Sequence, residues 1–207
     1  QFFTDVSHEF RTPLTLIEIP LESAINNCGS DKKQLYYLTL IRQNVSTLKI
    51  LINQLLDFRK IERGKLQFNP YPVNVSDVVG DIYSRFKCLS ESRNIIYSIN
   101  TPEEAAVSMI DISLFEKVIV NVISNAFKYT PQGGSISVYV ANDANTITVS
   151  VQDTGEGISE EELSHLFERF YQGKEHNKLK QAGTGIGLSM CKNIIDVHGG
   201  NIEIFSK

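Results

Sequence analysis

Val118-Ile119-Val120-Asn121-Val122-Ile123-Ser124-Asn125-Ala126-Phe127-Lys128-Tyr129 reads as a helix that is apolar almost all round. Yet Asn121, Asn125 and Lys128 stand at i, i+4 and i+7, on one face of it. An amide in an apolar interior is costly unless it meets a polar partner. An asparagine oxygen is a hard ligand that suits Mg2+, and a lysine one turn on suits phosphate. The row predicts one wall of a nucleotide site; a polar network satisfied within a core is the plainer alternative.

Two glycine runs point the same way. In Asp153-Thr154-Gly155-Glu156-Gly157 the aspartate continues the alternation of Ile147, Val149 and Val151, so it is expected to point inward at a strand end. A carboxylate there needs a donor, and an adenine amino group is a candidate. Glycines allow backbone to approach a flat base, although a buried aspartate capping a turn would leave the same trace. Gly183-Thr184-Gly185-Ile186-Gly187-Leu188 precedes the last helix, where glycine N–H groups form an anion site. The polar stretch from Gly173 to Ala182, with Lys174, Lys178 and Lys180, reads as a lid, or more plainly as a flexible loop. Neither run is a dinucleotide fingerprint, because Glu160 and Leu188 stand where glycine is required. GxxxxGK[ST], HRD and DFG sequences are absent, which argues against P-loop enzymes and serine, threonine or tyrosine kinases.

The surroundings predict an α+β domain, with helices covering one face of a mixed sheet. Val75 to Ser90 reads as helix, Ile95 to Ile99 and Val107 to Ile110 as short strands. Ser113-x-x-Glu116 fits a capping box that opens the amide-bearing helix. Ile136, Val138 and Val140 alternate, as do Ile147, Val149 and Val151, giving a hairpin turned at Asn142 to Asn145. Ser159-x-x-Glu162 caps another short helix, and Ser189 to His198 forms the last.

The first third has a different period. Phe3, Val6, Phe10, Leu14, Ile17, Leu21 and Ile25 make one helical stripe. A turn follows at Asn26 to Asp31, then a second stripe through Leu38, Ile41, Val45, Leu48, Ile52, Leu55, Phe58 and Ile61. Two helices cannot enclose a core alone, so a homodimeric four-helix bundle is expected. Domains of 1–66 and 67–207 follow, joined through Arg63-Gly64-Lys65 and Pro70-Tyr71-Pro72. On the first helix, His8 and Thr12 share a face, Glu9 is adjacent and Pro13 should bend the helix. A neutral imidazole attacks phosphorus without an elaborate base, and Glu9 can take the other ring proton. His165, His176 and His198 receive no chemistry; a favourable helix C-terminal position accounts for His198.

Composition narrows the field further. The net charge of −4 leaves no basic surplus for general nucleic-acid binding. Cys28, Cys88 and Cys191 are odd in number and far apart, and imply neither a metal site nor a disulfide framework. No apolar run is long enough to span a membrane and no signal peptide is visible. The expectation is a soluble, cytoplasmic piece without membrane contact of its own.

Taken together, the boxes resemble the sensor histidine kinases over nearly the whole chain. Phe2 to Leu14 is similar to that family's phospho-acceptor box, Asn121 to Thr130 to its N box, and Asp153 to Ile158 to its first glycine box. Leu166-Phe167-Glu168-Arg169-Phe170-Tyr171 is similar to its F box, and Gly183 to Leu188 to its second glycine box. The resemblance implies a dimeric helical hairpin followed by an ATP-binding α/β sandwich of the Bergerat type. His8 would be phosphorylated with Glu9 assisting, and Thr12 would position water when a partner is dephosphorylated. Asn125, with Asn121 beside it, would hold Mg2+, while Lys128 and Arg169 meet phosphates. Tyr129 would lie on the adenine and Asp153 would bond its amino group. Gly155, Gly157 and Ile158, with Gly183, Thr184, Gly185, Gly187 and Leu188, would line the nucleotide.

It also implies an aspartate of a response-regulator receiver domain as the next acceptor, and a membrane-anchored sensor as the parent. The family usually starts its first helix earlier and adds a sheet hairpin after the last residues here, so a C-terminally truncated domain is expected. For transfer the ATP domain must swing onto the bundle, which makes Arg63 to Pro72 the expected hinge. A non-kinase ATPase of the same superfamily would carry a glutamate where Asn121 stands. A catalytically weak scaffold that dimerises and relays conformation would not need the full set of ATP-site residues found here.

Overall fold

The computed structural model describes residues 14, 17–26, 32–62, 67–143, 145–168, 171 and 185–206. The chain divides into two compact units, Gln1–Leu66 and Gln67–Lys207.

In the first unit, residues 17–26 form helix α1 and Lys32–Glu62 form helix α2. Leu14, Leu21 and Val45 are buried, as their stripe positions require. Lys49 Nζ lies 2.6 Å from Glu18 Oε2, joining the helices by a part-exposed ion pair worth about 1 kcal/mol at most. The stripe is only partly covered: Ile17, Ile41 and Leu48 are 46%, 46% and 47% exposed within the single chain. The turn expected at Asn26 to Asp31 lies outside the described residues beyond Asn26, which is still helical.

The second unit begins with strand β1 (Tyr71–Asn74), helices α3 (Val75–Arg85) and α4 (Lys87–Ser92), and strands β2 (Ile96–Asn100) and β3 (Val107–Ile110). Helix α5 (Ile112–Tyr129), strands β4 (Ser135–Asp143) and β5 (Thr146–Asp153), and helices α6 (Glu160–Leu163) and α7 (Gly187–Val197) complete it. β1 pairs antiparallel with β3, Pro72 opposite Met109. A three-stranded sheet has the order β2-β4-β5, parallel between β2 and β4 and antiparallel between β4 and β5. Ile136, Val138 and Val140 of β4 are buried, and against them pack Val75, Val79 and Ile82 of α3 with Ile119, Ile123 and Phe127 of α5. Their spacings, i, i+4, i+7 on α3 and i, i+4, i+8 on α5, turn one stripe of each helix onto the sheet.

Three expectations need correction. Val75 to Ser90 is not one helix: Phe86 N–H bonds back to Tyr83 O, an i to i−3 turn that ends α3 and lets the Phe86 ring stack on Phe127. Pro70-Tyr71-Pro72 is not linker throughout, because Tyr71 and Pro72 already pair with β3. Ser113 is not the cap of α5; Asp111 is, its Oδ1 accepting from Leu114 N–H at 3.2 Å.

Candidate nucleotide site

Helix α5 carries the site because it is amphipathic in an unusual way. Leu114, Phe115, Val118, Ile119, Ile123, Ala126 and Phe127 occupy its buried sector. Asn121, Asn125, Lys128 and Tyr129 run half-buried along the remainder. Asn125 Nδ2 donates to Asn121 Oδ1 at 3.2 Å, so the two amides form one unit across a helical turn.

Two backbone segments close on this row without side chains of their own. Helix α7 packs beside α5, with the Cys191 thiol 4.0 Å from Val118 O. At its first residue, a Cβ added to Gly187 would fall 2.6 Å from Asn121 Nδ2 and 2.9 Å from Oδ1. At the other end of α5, a Cβ on Gly155 would fall 2.7 Å from Asp153 Oδ1 and 3.0 Å from Tyr129 O. Gly187 is thereby set against the Asn121–Asn125 pair, and Gly155 with Asp153 against Tyr129 at the C-terminal end of the same helix. Gly157 and Gly185, at φ of 77° and 65°, sit in the left-handed region beside it.

Asp153 ends β5 on the inward face, opposite buried Ile136, as the alternation predicts. It is nevertheless exposed there, and its Oδ1 accepts from the Gly155 N–H at 2.8 Å. The Ile158 N–H donates to Ser206 Oγ at 2.7 Å, and Leu188 lies half-buried in the first turn of α7. Lys128 Nζ stands 5.0 Å from the Tyr129 ring centroid. The Phe167 ring lies 5.4 Å from Lys192 Nζ of α7. His8, Glu9, Thr12, Arg169, Gly183, Thr184 and the whole of the expected lid, residues 173–182, lie outside the described residues.

The donor set fits a magnesium nucleotide: amide oxygens on a rigid helix, a nearby ammonium, and two cradles that any side chain would fill. Among the described residues, no cluster of three or more His, Cys, Asp or Glu side chains offers a metal site of another kind.

The sequence reading missed a junction at the other end of α7. Asp111 N–H donates to His198 Nε2 at 3.1 Å, and His198 Nδ1 donates to Ile194 O at 2.8 Å, which sets the neutral tautomer. Asp111 Oδ2 accepts from Asn69 N–H at 3.0 Å, and the Phe68 ring meets the His198 ring edge-on at 4.9 Å. The chain is therefore anchored from Phe68 onward, so the expected hinge does not extend to Pro72. His198 serves as a neutral acceptor, not as a cation at a helix end. An aspartate just before an apolar helical run is a cap signal; nothing in the sequence announces the histidine.

Residues 1–64 match the family described as His Kinase A (phospho-acceptor) domain, and residues 110–207 match Histidine kinase-, DNA gyrase B-, and HSP90-like ATPase. Histidine kinase P4 of Formosa agariphila is 37% identical over 210 residues, covering 100% of this chain and 15% of that protein. The nucleotide-free catalytic domain of histidine kinase ThkA is 29% identical with a TM-score of 0.59, over 65% of this chain and 87% of that one. ThkA in complex with the response regulator TrrA superposes over 95% of this chain and 54% of its own at 22% identity and a TM-score of 0.63. Full-length ShkA in complex with AMPPNP reaches a TM-score of 0.76 at 22% identity, over 95% of this chain and 41% of that one, a likeness of fold. With an ATP-binding region behind a phospho-acceptor region, the chain belongs to the sensor histidine kinases of two-component systems.

Proposed function

We propose that this chain moves the γ-phosphoryl group of ATP onto its own His8 and that a response-regulator aspartate then takes it. The observation that carries the reading is the approach of Gly187 to the α5 amides and of Gly155 to the end of the same helix, in a chain that also bears a phospho-acceptor box. Asn125 holds Mg2+, which neutralises charge on the phosphates. Lys128 and Arg169 bind the phosphates, Tyr129 covers the adenine and Asp153 accepts from its amino group. His8 attacks phosphorus in line through a ring nitrogen; the bond to the β-phosphate oxygen breaks, ADP departs, and Glu9 takes up the other ring proton. Thr12 positions water in a separate phosphatase reaction, the hydrolysis of the phosphoryl group from the response-regulator aspartate.

The half-exposed Ile17, Ile41 and Leu48 support a homodimer, since a second copy would bury them as a four-helix bundle. No described helix is long and apolar enough to cross a membrane. We assign the chain to the cytoplasmic part of a membrane-anchored sensor.

The test is incubation with γ-labelled ATP and Mg2+ beside His8→Gln and Asn125→Asp variants. Acid-labile, base-stable label lost in both variants is the expected outcome. Label retained by His8→Gln would place the acceptor elsewhere and defeat the assignment.

A further inference from the structure

We infer that Asn121 is not a second ligand of the metal but the residue that orients Asn125, and that Gly187 holds Asn121 in that role. The inference rests on the nucleotide reading above and assigns each half of the amide pair its own task.

A carboxamide carries its donor and its acceptor on opposite sides of Cγ, and the two orientations are nearly equal in shape. Only one of them serves a cation, because an NH2 group turned toward Mg2+ repels it. The Asn125 Nδ2 donates backward to Asn121 Oδ1 at 3.2 Å, which turns the Asn125 oxygen away from Asn121. An acceptor at position 121 thus selects the orientation that ligation needs. Asn121 has its own constraint. The Nδ2, Oδ1 and Cγ atoms of its amide lie 2.6, 2.9 and 3.1 Å from the point where a Cβ on Gly187 would stand. The polar end of Asn121 is thus directed at the first residue of α7. Gly187 belongs to the glycine run that opens α7. A shift of Gly187 would therefore release Asn121, and through it the Asn125 oxygen.

The test reads how strongly Mg2+ tightens ADP binding, measured on the full chain by calorimetry with Mg2+ and with EDTA. Asn125→Ala should bring the ratio of the two affinities to one. Asn121→Ala should lower it about tenfold without abolishing it. The double variant should be no worse than Asn125→Ala alone, as for residues acting through one another. Gly187→Ala, which leaves both amides chemically intact, should reproduce the Asn121→Ala loss. In the nucleotide-free protein, the Asn125 side-chain amide resonances should move upfield in Asn121→Ala. A residual Mg2+ effect in Asn125→Ala that the double variant removes would mark Asn121 as a ligand and overturn the proposal. An unchanged ratio in Asn121→Ala would overturn it equally. A full Mg2+ effect in Asn125→Ala would instead sink the metal assignment on which it stands.

Discussion

Replacing Asp111 by alanine should destabilise the ATP-binding unit by about 2–3 kcal/mol. The carboxylate is 6% exposed and accepts from three directions: Leu114 N–H at 3.2 Å, Ser113 Oγ at 2.7 Å and Asn69 N–H at 3.0 Å. Losing the helix cap costs about 1 kcal/mol. Losing the part-buried, charge-assisted bond from the Asn69 N–H adds about 1–2 kcal/mol, while the exposed Ser113 hydroxyl finds water. For a unit of this size the sum corresponds to a melting shift of roughly 6–12 °C.

Asp111→Asn separates the two contributions, because asparagine caps a helix as well as aspartate but has one acceptor oxygen instead of two. It should retain the cap and lose Asn69, at about half the cost.

The pH dependence has a definite sign. Burial alone would raise the Asp111 carboxyl, but hydrogen bonds from Asn69, Ser113 and Leu114 outweigh it and hold it below the ordinary carboxylate range. A depressed carboxyl contributes stability that is complete above its unfolded value, near pH 4, and is lost as pH falls through the folded one. The gap between wild type and Asp111→Ala should therefore be constant at neutral pH and narrow in acid. Calorimetry follows the melt, and amide exchange in the β1–β3 ribbon assigns the transition to this unit. A variant that melts within about 1 °C of wild type at pH 7 would refute the energetic reasoning.

Gly155→Ala should weaken ADP binding at least about tenfold, since the new Cβ meets the Tyr129 carbonyl at 3.0 Å, backbone that cannot swing aside; calorimetric titration checks it. Burial pushes the Cys191 thiol up to about 12, so a maleimide at pH 7.5 should label exposed Cys88 in the folded protein and Cys191 only after denaturation; peptide mapping decides. Ile41→Lys with Leu48→Lys should convert a dimer to monomer in sedimentation experiments without loss of ADP affinity, because both side chains lie on α2, one heptad apart and half exposed.

What could be read from residues alone followed their periodicity. The β4–β5 hairpin was legible because alternation in Ile136-x-Val138-x-Val140 has one solution once a face is buried, and the sheet register bears it out. The amide row on α5 was legible because polar residues at helical spacing inside an apolar segment contradict their surroundings. Strand β1 was not, since prolines at positions 70 and 72 conceal a ribbon only four residues long. Asp111 lost to Ser113 because two caps compete within three residues, and only the arrival of Asn69 from a distant segment decides between them. Asp153 keeps the inward face, opposite buried Ile136, but its exposure at the strand end could not be read from alternation alone.

The same physics explains why the site sits where the core is strongest. A metal ligand must hold its orientation, and α5 is fixed by Ile123 and Phe127, both fully buried beneath the amide row. That burial leaves Asn121 and Asn125 few directions to turn, so a single hydrogen bond between them suffices to set both. Filling the row with leucine would satisfy the helix and enlarge the apolar surface, yet it would remove every hard donor from the wall that faces Gly187. Local preference and global packing disagree at these positions, and a sequence that keeps the disagreement is one in which the polar atoms are needed by something other than the fold.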